Sequence, residues 1–98
     1  SVASRAQFKP GIAKLVTDVA TTFAVSEESI LKAKRGTNNV PRWAAMYLGQ
    51  VVGGQPLVSI AEAFGLTGSI PTTIGKLKML MGDDRKLLKK VEHLMVDN

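Results

Sequence analysis

The chain has 98 residues, a formal net charge of +5 and a sequence pI of about 9.8. This length suits one domain with a single modest core. The chain contains no cysteine, which excludes a disulfide framework and a thiolate metal site. No apolar run reaches the length of a membrane span and no signal peptide is recognisable, so we expect a cytoplasmic protein. The basic balance favours an anionic partner, with nucleic acid before a membrane surface.

The first part of the chain predicts a lead-in followed by two helices. Residues 1–10 show no helical period, and we interpret them as a flexible lead-in or linker remnant before a domain of residues 11–98. The second helix begins at Ser26, a favourable N-cap, and ends in a basic segment that contains Lys34 and Arg35. These two cations either satisfy the carbonyls at the helix end or contact an anionic partner. The apolar positions that we expect to be buried are Ile12, Leu15, Val16, Val19, Phe23, Ile30 and Leu31.

Apolar residues cover almost every side of the next helix, from Val40 to Val52, and such a helix is normally central and buried. Trp43 and Tyr47 on this helix are therefore predicted to be core residues rather than platforms for base stacking. Arg42 lies in the first turn, near the positive end of the helix dipole, where a cation gains nothing from its own helix. We therefore predict that Arg42 is exposed and contacts an outside partner, such as a phosphate or a narrow DNA groove.

Residues 57–81 have the pattern of a helix-turn-helix, in which Gly65 ends a short helix and supplies positive φ. Residues 67–69 form the turn, and Pro71 falls in the first turn of the following helix, residues 69–81. The buried stripe of that helix is predicted to be Ile70, Ile74, Leu77 and Met81. Its outward side chains are those of Ser69, Thr72, Thr73 and Lys76, and hydroxyls with a cation suit a DNA groove. Gly75 is unfavourable inside a helix, and close approach of another helix or of a DNA backbone would explain it; we favour helix packing.

The last predicted helix has an apolar face of Leu87, Leu88, Val91, Leu94 and Met95 and a basic outer face that we interpret as solvated. His93 is the only histidine, and a single histidine does not supply a metal site or a catalytic triad. There is no glycine-rich phosphate loop and no strand pattern. The sequence therefore predicts a non-enzymatic bundle of five or six helices, without a cofactor, a metal or a small-molecule substrate.

Four sequence pieces together resemble the C-terminal DNA-binding domain of the bacterial replication initiator DnaA, whose fold is similar to that of the Trp repressor. The pieces are KAKRG, VPRWAAMYL, LVSIAEAFG and the threonine pair of the next helix, and the match runs from about Gly11 to about Met81. Their counterparts in DnaA-like domains are a basic loop, an RPR-x-x-A-M-x-L segment, an L-x-E-I-G-x-x-F-G segment and a threonine pair. The resemblance implies an all-α, Trp-repressor-like fold and double-stranded DNA as the partner, in the bacterial cytoplasm at the nucleoid.

The resemblance also implies roles for individual residues. Arg42 matches an arginine that enters the minor groove, and Thr72 and Thr73 match the pair that meets bases and phosphates in the major groove. Lys34 and Arg35 match the basic loop that contacts the backbone, while Lys76 and Lys78 are expected to add phosphate contacts. The chain departs from the family in that Val40 replaces the first arginine of RPR. The G-R-D-H-T-T signature is also replaced by residues 66–73, which lack its Asp-His pair.

The last third is also similar to the DnaA-like tail of some tyrosine transposases associated with repetitive palindromes, through IAEAFGLTGS and DDRKLLKKVEHL. The catalytic half of such enzymes needs a histidine pair and a tyrosine on a helix, and a chain with one histidine is not that half. Two alternatives remain open for the function. One is a protein-interaction module that has lost DNA contact, and the other is a ligand-gated regulator like the Trp repressor.

Overall fold

The computed structural model describes residues 9–32, 38–66 and 70–97, and these residues form six helices without a β-strand. The prediction of a small all-α bundle is therefore confirmed. The helices are α1 (Ile12–Phe23), α2 (Glu27–Leu31), α3 (Val40–Val51), α4 (Leu57–Phe64), α5 (Ile70–Asp83) and α6 (Arg85–Asp97). None of these described helices is both long enough and apolar enough to cross a membrane.

Helix α3 lies at the centre of the bundle, because each of the other five helices contacts it. This arrangement explains why its sequence is apolar on most sides, as predicted. Trp43 and Tyr47 are half-buried and pack against the core. One apolar cluster joins all six helices, and its members are Leu15, Val16, Val19, Ala20, Ile30, Ala44, Ala45, Met46, Leu48, Ile60, Phe64, Ile70, Ile74, Leu77, Met81, Leu87, Val91 and Leu94.

Three residues that we predicted to be buried are exposed. Leu31 is 42% exposed, because α2 has only five residues and packs through the single side that carries Ile30. Leu88 and Met95 of α6 are 37% and 39% exposed. Helix α6 packs through the narrower stripe of Leu87, Val91 and Leu94, so the apolar arc in the sequence is wider than the buried one.

The ends of the helices follow local capping chemistry. The Ser26 Oγ accepts a hydrogen bond from the Ser29 N–H (3.1 Å), so the predicted N-cap of α2 is confirmed. Helix α1 is followed by Ala24, which has φ +56°, a conformation that the sequence did not indicate. Helix α5 continues two residues beyond its predicted end at Met81, to Asp83, and the Asp84 side chain caps α6 by accepting a hydrogen bond from the Leu87 N–H (3.1 Å).

Residues 1–8 of the predicted lead-in lie outside the described residues. Lys9 and Pro10 lie beside the turn that ends α3. A Cβ atom built on Gly53 would lie 3.0 Å from the carbonyl oxygen of Pro10. The chain therefore passes closely over the end of the central helix before α1 begins.

Candidate nucleic-acid interface

Helix α4 ends with the backbone geometry predicted for the turn glycine of a helix-turn-helix. Gly65 has φ +66°. Its N–H donates to the Glu62 carbonyl (3.3 Å), and the Leu66 N–H donates to the Ala61 carbonyl (2.8 Å). This pair of bonds is the Schellman arrangement, which requires a left-handed residue at its centre. A Cβ on Gly65 would meet nothing within 4 Å, so the backbone angle, and not crowding, is the reason for glycine.

Helix α5 packs on the bundle through one stripe and presents its opposite side to solvent. The four residues that we predicted to be buried in this helix are all buried: Ile70, Ile74, Leu77 and Met81. On the opposite side Thr72 and Lys76 are both exposed, and they lie about one turn apart. Lys76 forms no ion pair with any described residue, since the ion pairs in this part of the chain join Lys14 to Asp18 and Lys32 to Glu28. A hydroxyl and an uncompensated cation therefore occupy the N-terminal half of this exposed side.

The two remaining predicted contact residues of α5 lie beside this side rather than on it. Thr73 is half-buried, so only part of its side chain is accessible. Lys78 is exposed, but its Nζ lies 5.9 Å from the centre of the Tyr47 ring on α3. Lys78 is also rotated by about 120° around the helix axis from Thr72. It is thus a flanking cation, and it does not extend the row that Thr72 and Lys76 form.

The exposed side of α5 also contains features that sequence reasoning did not single out or interpreted differently. A Cβ built on Gly75 would meet nothing within 4 Å, so our expectation that helix packing requires this glycine is wrong. Met79, one turn after Gly75, is 75% exposed. The periodicity of the helix already put Met79 opposite the buried stripe, and that signal was available in the sequence. The exposed side of α5 therefore combines a hydroxyl, a cation, an open glycine and a thioether.

Three of the predicted DNA-binding residues lie outside the described residues: Lys34, Arg35 and Ser69. Lys34 and Arg35 follow the end of α2 in the sequence, and Ser69 directly precedes Ile70, the first residue of α5.

Arg42 is buried, so the prediction that it is exposed and reaches into a minor groove is wrong. Its exposed fraction is 4%. One terminal nitrogen of its guanidinium donates to the carbonyls of Ile30 (3.1 Å) and Leu31 (2.6 Å), and the other donates to the carbonyl of Phe64. The guanidinium carbon also lies 5.2 Å from the centre of the Phe64 ring. Arg42 is therefore a structural residue and is removed from the set of candidate DNA contacts.

The physical reason for this burial is the environment at the start of α3. Our prediction considered only the positive end of the dipole of α3, which repels a cation. The carbonyls that Arg42 contacts belong to the C-terminal ends of α2 and α4, where the dipoles are negative and carbonyls lack partners in their own helix. Burial lowers the pKa of the Arg42 guanidinium below its usual value. Arginine nevertheless remains charged at neutral pH, because its usual pKa lies far above neutrality.

Asn39 supports the same junction, and we did not predict its capping role from the sequence. Its side-chain oxygen accepts from the Arg42 N–H (3.2 Å) and so caps α3. Its side-chain nitrogen donates to the Ser29 carbonyl (2.7 Å). The signal that could have identified it is an asparagine directly before Val40-Pro41, since Asn is a favoured N-cap and Pro a favoured first-turn residue.

The outer face of α6 carries four exposed cations: Arg85, Lys86, Lys89 and Lys90. The Nζ of Lys90 lies 5.1 Å from the centre of the Phe23 ring on α1. Within the described ranges, no three His, Cys, Asp or Glu side chains come together in a group that could hold a metal ion.

Comparison of the chain with protein-family models, with curated proteins and with solved structures gives no match. The resemblance to DnaA-like domains therefore rests on the order and spacing of the sequence motifs.

Proposed function

We propose that this chain is a non-enzymatic DNA-binding domain that places the exposed side of α5 in the major groove of double-stranded DNA. The observation that carries the proposal is the exposed pair of Thr72 and Lys76 on a helix that follows a left-handed glycine turn. A helix fixed by one buried stripe, with a hydroxyl and a cation near its N-terminal end, has the chemistry of a recognition helix.

Within the proposed interface, the cations would contribute most of the affinity and the hydroxyl would contribute the sequence preference. The chain has a formal net charge of +5, and Lys76 has no ion-pair partner among the residues that the structure describes. Lys76 would contact phosphates, which contribute affinity for every duplex, and the Thr72 hydroxyl would contribute a modest preference among sequences. Lys78, Lys34 and Arg35 would add phosphate contacts around this centre. The motif resemblance to DnaA-like domains supports the same docking helix, but Arg42 makes no DNA contact in this proposal.

The test begins with selection of bound sites from a random duplex pool, followed by titration of the selected duplex and a scrambled duplex at low and moderate salt. Thr72→Val should lower the ratio of the two affinities by about 3- to 10-fold, because one hydrogen bond to a base is lost. Lys76→Gln should weaken both duplexes alike and leave the ratio unchanged. Thr21→Val is the matched control, since Thr21 is an exposed threonine on α1. A pool that yields no enriched sequence and no binding at low salt would reject the proposal.

A protein-interaction module is the second candidate, and the exposure of Met79 favours it. This side chain is 75% exposed on the same side of α5 as Thr72 and Lys76. Exposed methionines adapt to apolar surfaces of protein partners, whereas groove contacts are mostly polar. Met79→Gln should leave DNA binding unchanged if α5 docks through its N-terminal half. A chain that binds no duplex at low salt would favour this second function.

A further inference from the structure

The three backbone carbonyls that Arg42 contacts come from two helices that are distant in the sequence. Ile30 and Leu31 end α2, and Phe64 ends α4. One terminal nitrogen of the guanidinium donates to the carbonyls of α2, and the other donates to the carbonyl of α4. The planar fork of arginine can span two acceptors in this way, whereas the ammonium of lysine is a point charge.

No described carboxylate forms an ion pair with Arg42, so the two helix ends are the groups that stabilise its buried charge. Within the described ranges no buried side-chain nitrogen or oxygen lacks a hydrogen-bond partner, and both terminal nitrogens of the guanidinium donate to carbonyls. The last carbonyls of a helix have no partner within it, and they carry the negative end of the dipole. The carbonyls at the two helix ends therefore stabilise the buried charge of the guanidinium, and the guanidinium supplies the hydrogen bonds that these carbonyls lack within their own helices.

The contact with Phe64 lies directly before the turn that leads to α5. Phe64 is followed by Gly65 and Leu66 of the Schellman turn, and α5 begins at Ile70. Helix α5 itself packs on α3, the helix that carries Arg42. The guanidinium thus fixes the end of α4, and the packing on α3 fixes α5 itself.

We propose that Arg42 is a positioning residue that joins the C-terminal ends of α2 and α4 and thereby sets the placement of α5 for DNA. The effect of Arg42 on DNA binding rests on the proposed function. Loss of the guanidinium would release both helix ends together, even in a chain that remains folded. The exposed side of α5 would then lose its fixed relation to the rest of the interface.

The first measurement does not depend on DNA and uses amide hydrogen exchange of the whole chain. In Arg42→Lys, the Lys32 and Leu66 amides, which close the ends of α2 and α4, should exchange at least about tenfold faster than in the wild type. The Val25 amide is an internal control, because it closes α1 onto the Ala20 carbonyl (3.0 Å) without contact to Arg42. Equal acceleration of all three amides would show a general loss of stability and would overturn the proposal.

The second measurement is a double-mutant cycle on the selected duplex, at a temperature where every variant is folded by circular dichroism. Thr72→Val alone should lower the affinity ratio by about 3- to 10-fold, and in the Arg42→Lys background the same change should cost less than about twofold. Leu15→Ala is the matched background, because it removes a fully buried side chain of α1 that makes none of the hydrogen bonds to the ends of α2 and α4. In the Leu15→Ala background, Thr72→Val should still lower the affinity ratio by about 3- to 10-fold.

The outcomes separate the two proposals. A full Thr72 effect in the Arg42→Lys background would overturn the positioning role for DNA. If the wild type binds no duplex, the proposed function fails, and the exchange of the Lys32 and Leu66 amides alone decides whether Arg42 joins the two helices. Arg42→Met supplies a second variant that lacks the charge and should accelerate the same two amides further.

Discussion

At the scale of single residues, Arg42 is the position where electrostatics, burial and topology act together. A buried cation is costly unless hydrogen bonds and charge compensate it. Arg42→Ala would leave the carbonyls of Ile30, Leu31 and Phe64 without their donor, so it should destabilise the fold by about 2–4 kcal/mol. Urea denaturation measures this, with Lys76→Ala on the exposed side of α5 as a control that should stay within about 0.5 kcal/mol of the wild type. Equal midpoints for the two variants would contradict the burial of Arg42.

Gly65 supports a second prediction at this scale. Its φ of +66° lies in the left-handed region, which a β-branched residue adopts only with strain. Gly65→Val should therefore lower the free energy of unfolding by about 1–3 kcal/mol, through the backbone alone because space around the Cβ position is open. Gly65→Asn should cost less, since asparagine tolerates this region. A valine variant that melts at the wild-type temperature would show that the turn is wrongly assigned.

Ala24 allows the opposite substitution, in which glycine replaces a residue with positive φ. Helix α1 ends with the same two bonds as α4, from the Val25 N–H to the Ala20 carbonyl and from the Ala24 N–H to the Thr21 carbonyl. Here the left-handed position, φ +56°, is occupied by alanine instead of glycine. Ala24→Gly should relieve the strain and stabilise the fold by about 1 kcal/mol, as measured by thermal or urea unfolding. A destabilised glycine variant would contradict the left-handed conformation at this residue.

At the scale of helices, alanine variants of the two glycines in α5 distinguish an effect on helix stability from an effect on DNA binding. Cβ atoms on Gly75 and Gly82 would meet nothing within 4 Å, so alanine at either position should stabilise the helix by up to about 1 kcal/mol. Gly75 lies between Thr72 and Lys76, where the DNA backbone would approach, whereas Gly82 lies near the far end of the helix. Gly75→Ala should therefore weaken DNA binding while raising the melting temperature. Gly82→Ala, the matched control, should raise the melting temperature without a change in affinity.

The same scale shows what the sequence can and cannot predict. The stripe of Ile70, Ile74, Leu77 and Met81 was predictable because residues spaced by three or four positions share one side of a helix. The partners of Arg42 were not predictable in this way, because they lie 11, 12 and 22 residues away and depend on how helices meet. The width of the buried arc on α6 likewise depends on its neighbours, which is why Leu88 and Met95 were assigned incorrectly. Patterns within one helix predict its orientation, and contacts between helices decide the role of a polar residue.

For the whole molecule, the relevant property is the distribution of its positive charge. The formal net charge of +5 alone predicts weak attraction to any polyanion, and it does not identify which cations touch phosphates. Local contact and general attraction differ in their dependence on salt. Each phosphate that a side chain neutralises releases counterions, and the slope of log affinity against log salt changes by about 0.9 for each such contact on duplex DNA.

Single removal of Lys34 or Arg35 tests this distribution. If Lys34 and Arg35 contact phosphates as proposed, Lys34→Gln and Arg35→Gln should each weaken binding to all duplexes alike and lower the salt slope by roughly one unit. Lys14→Gln is the matched control: it removes the same unit of charge, but the Lys14 Nζ on α1 already lies 2.7 Å from an Asp18 carboxylate oxygen. The control should change the affinity slightly and leave the slope unaltered. Identical slopes for the wild type, Lys34→Gln and Arg35→Gln would remove this basic segment from the interface, and the affinity would then depend on the cations of α5.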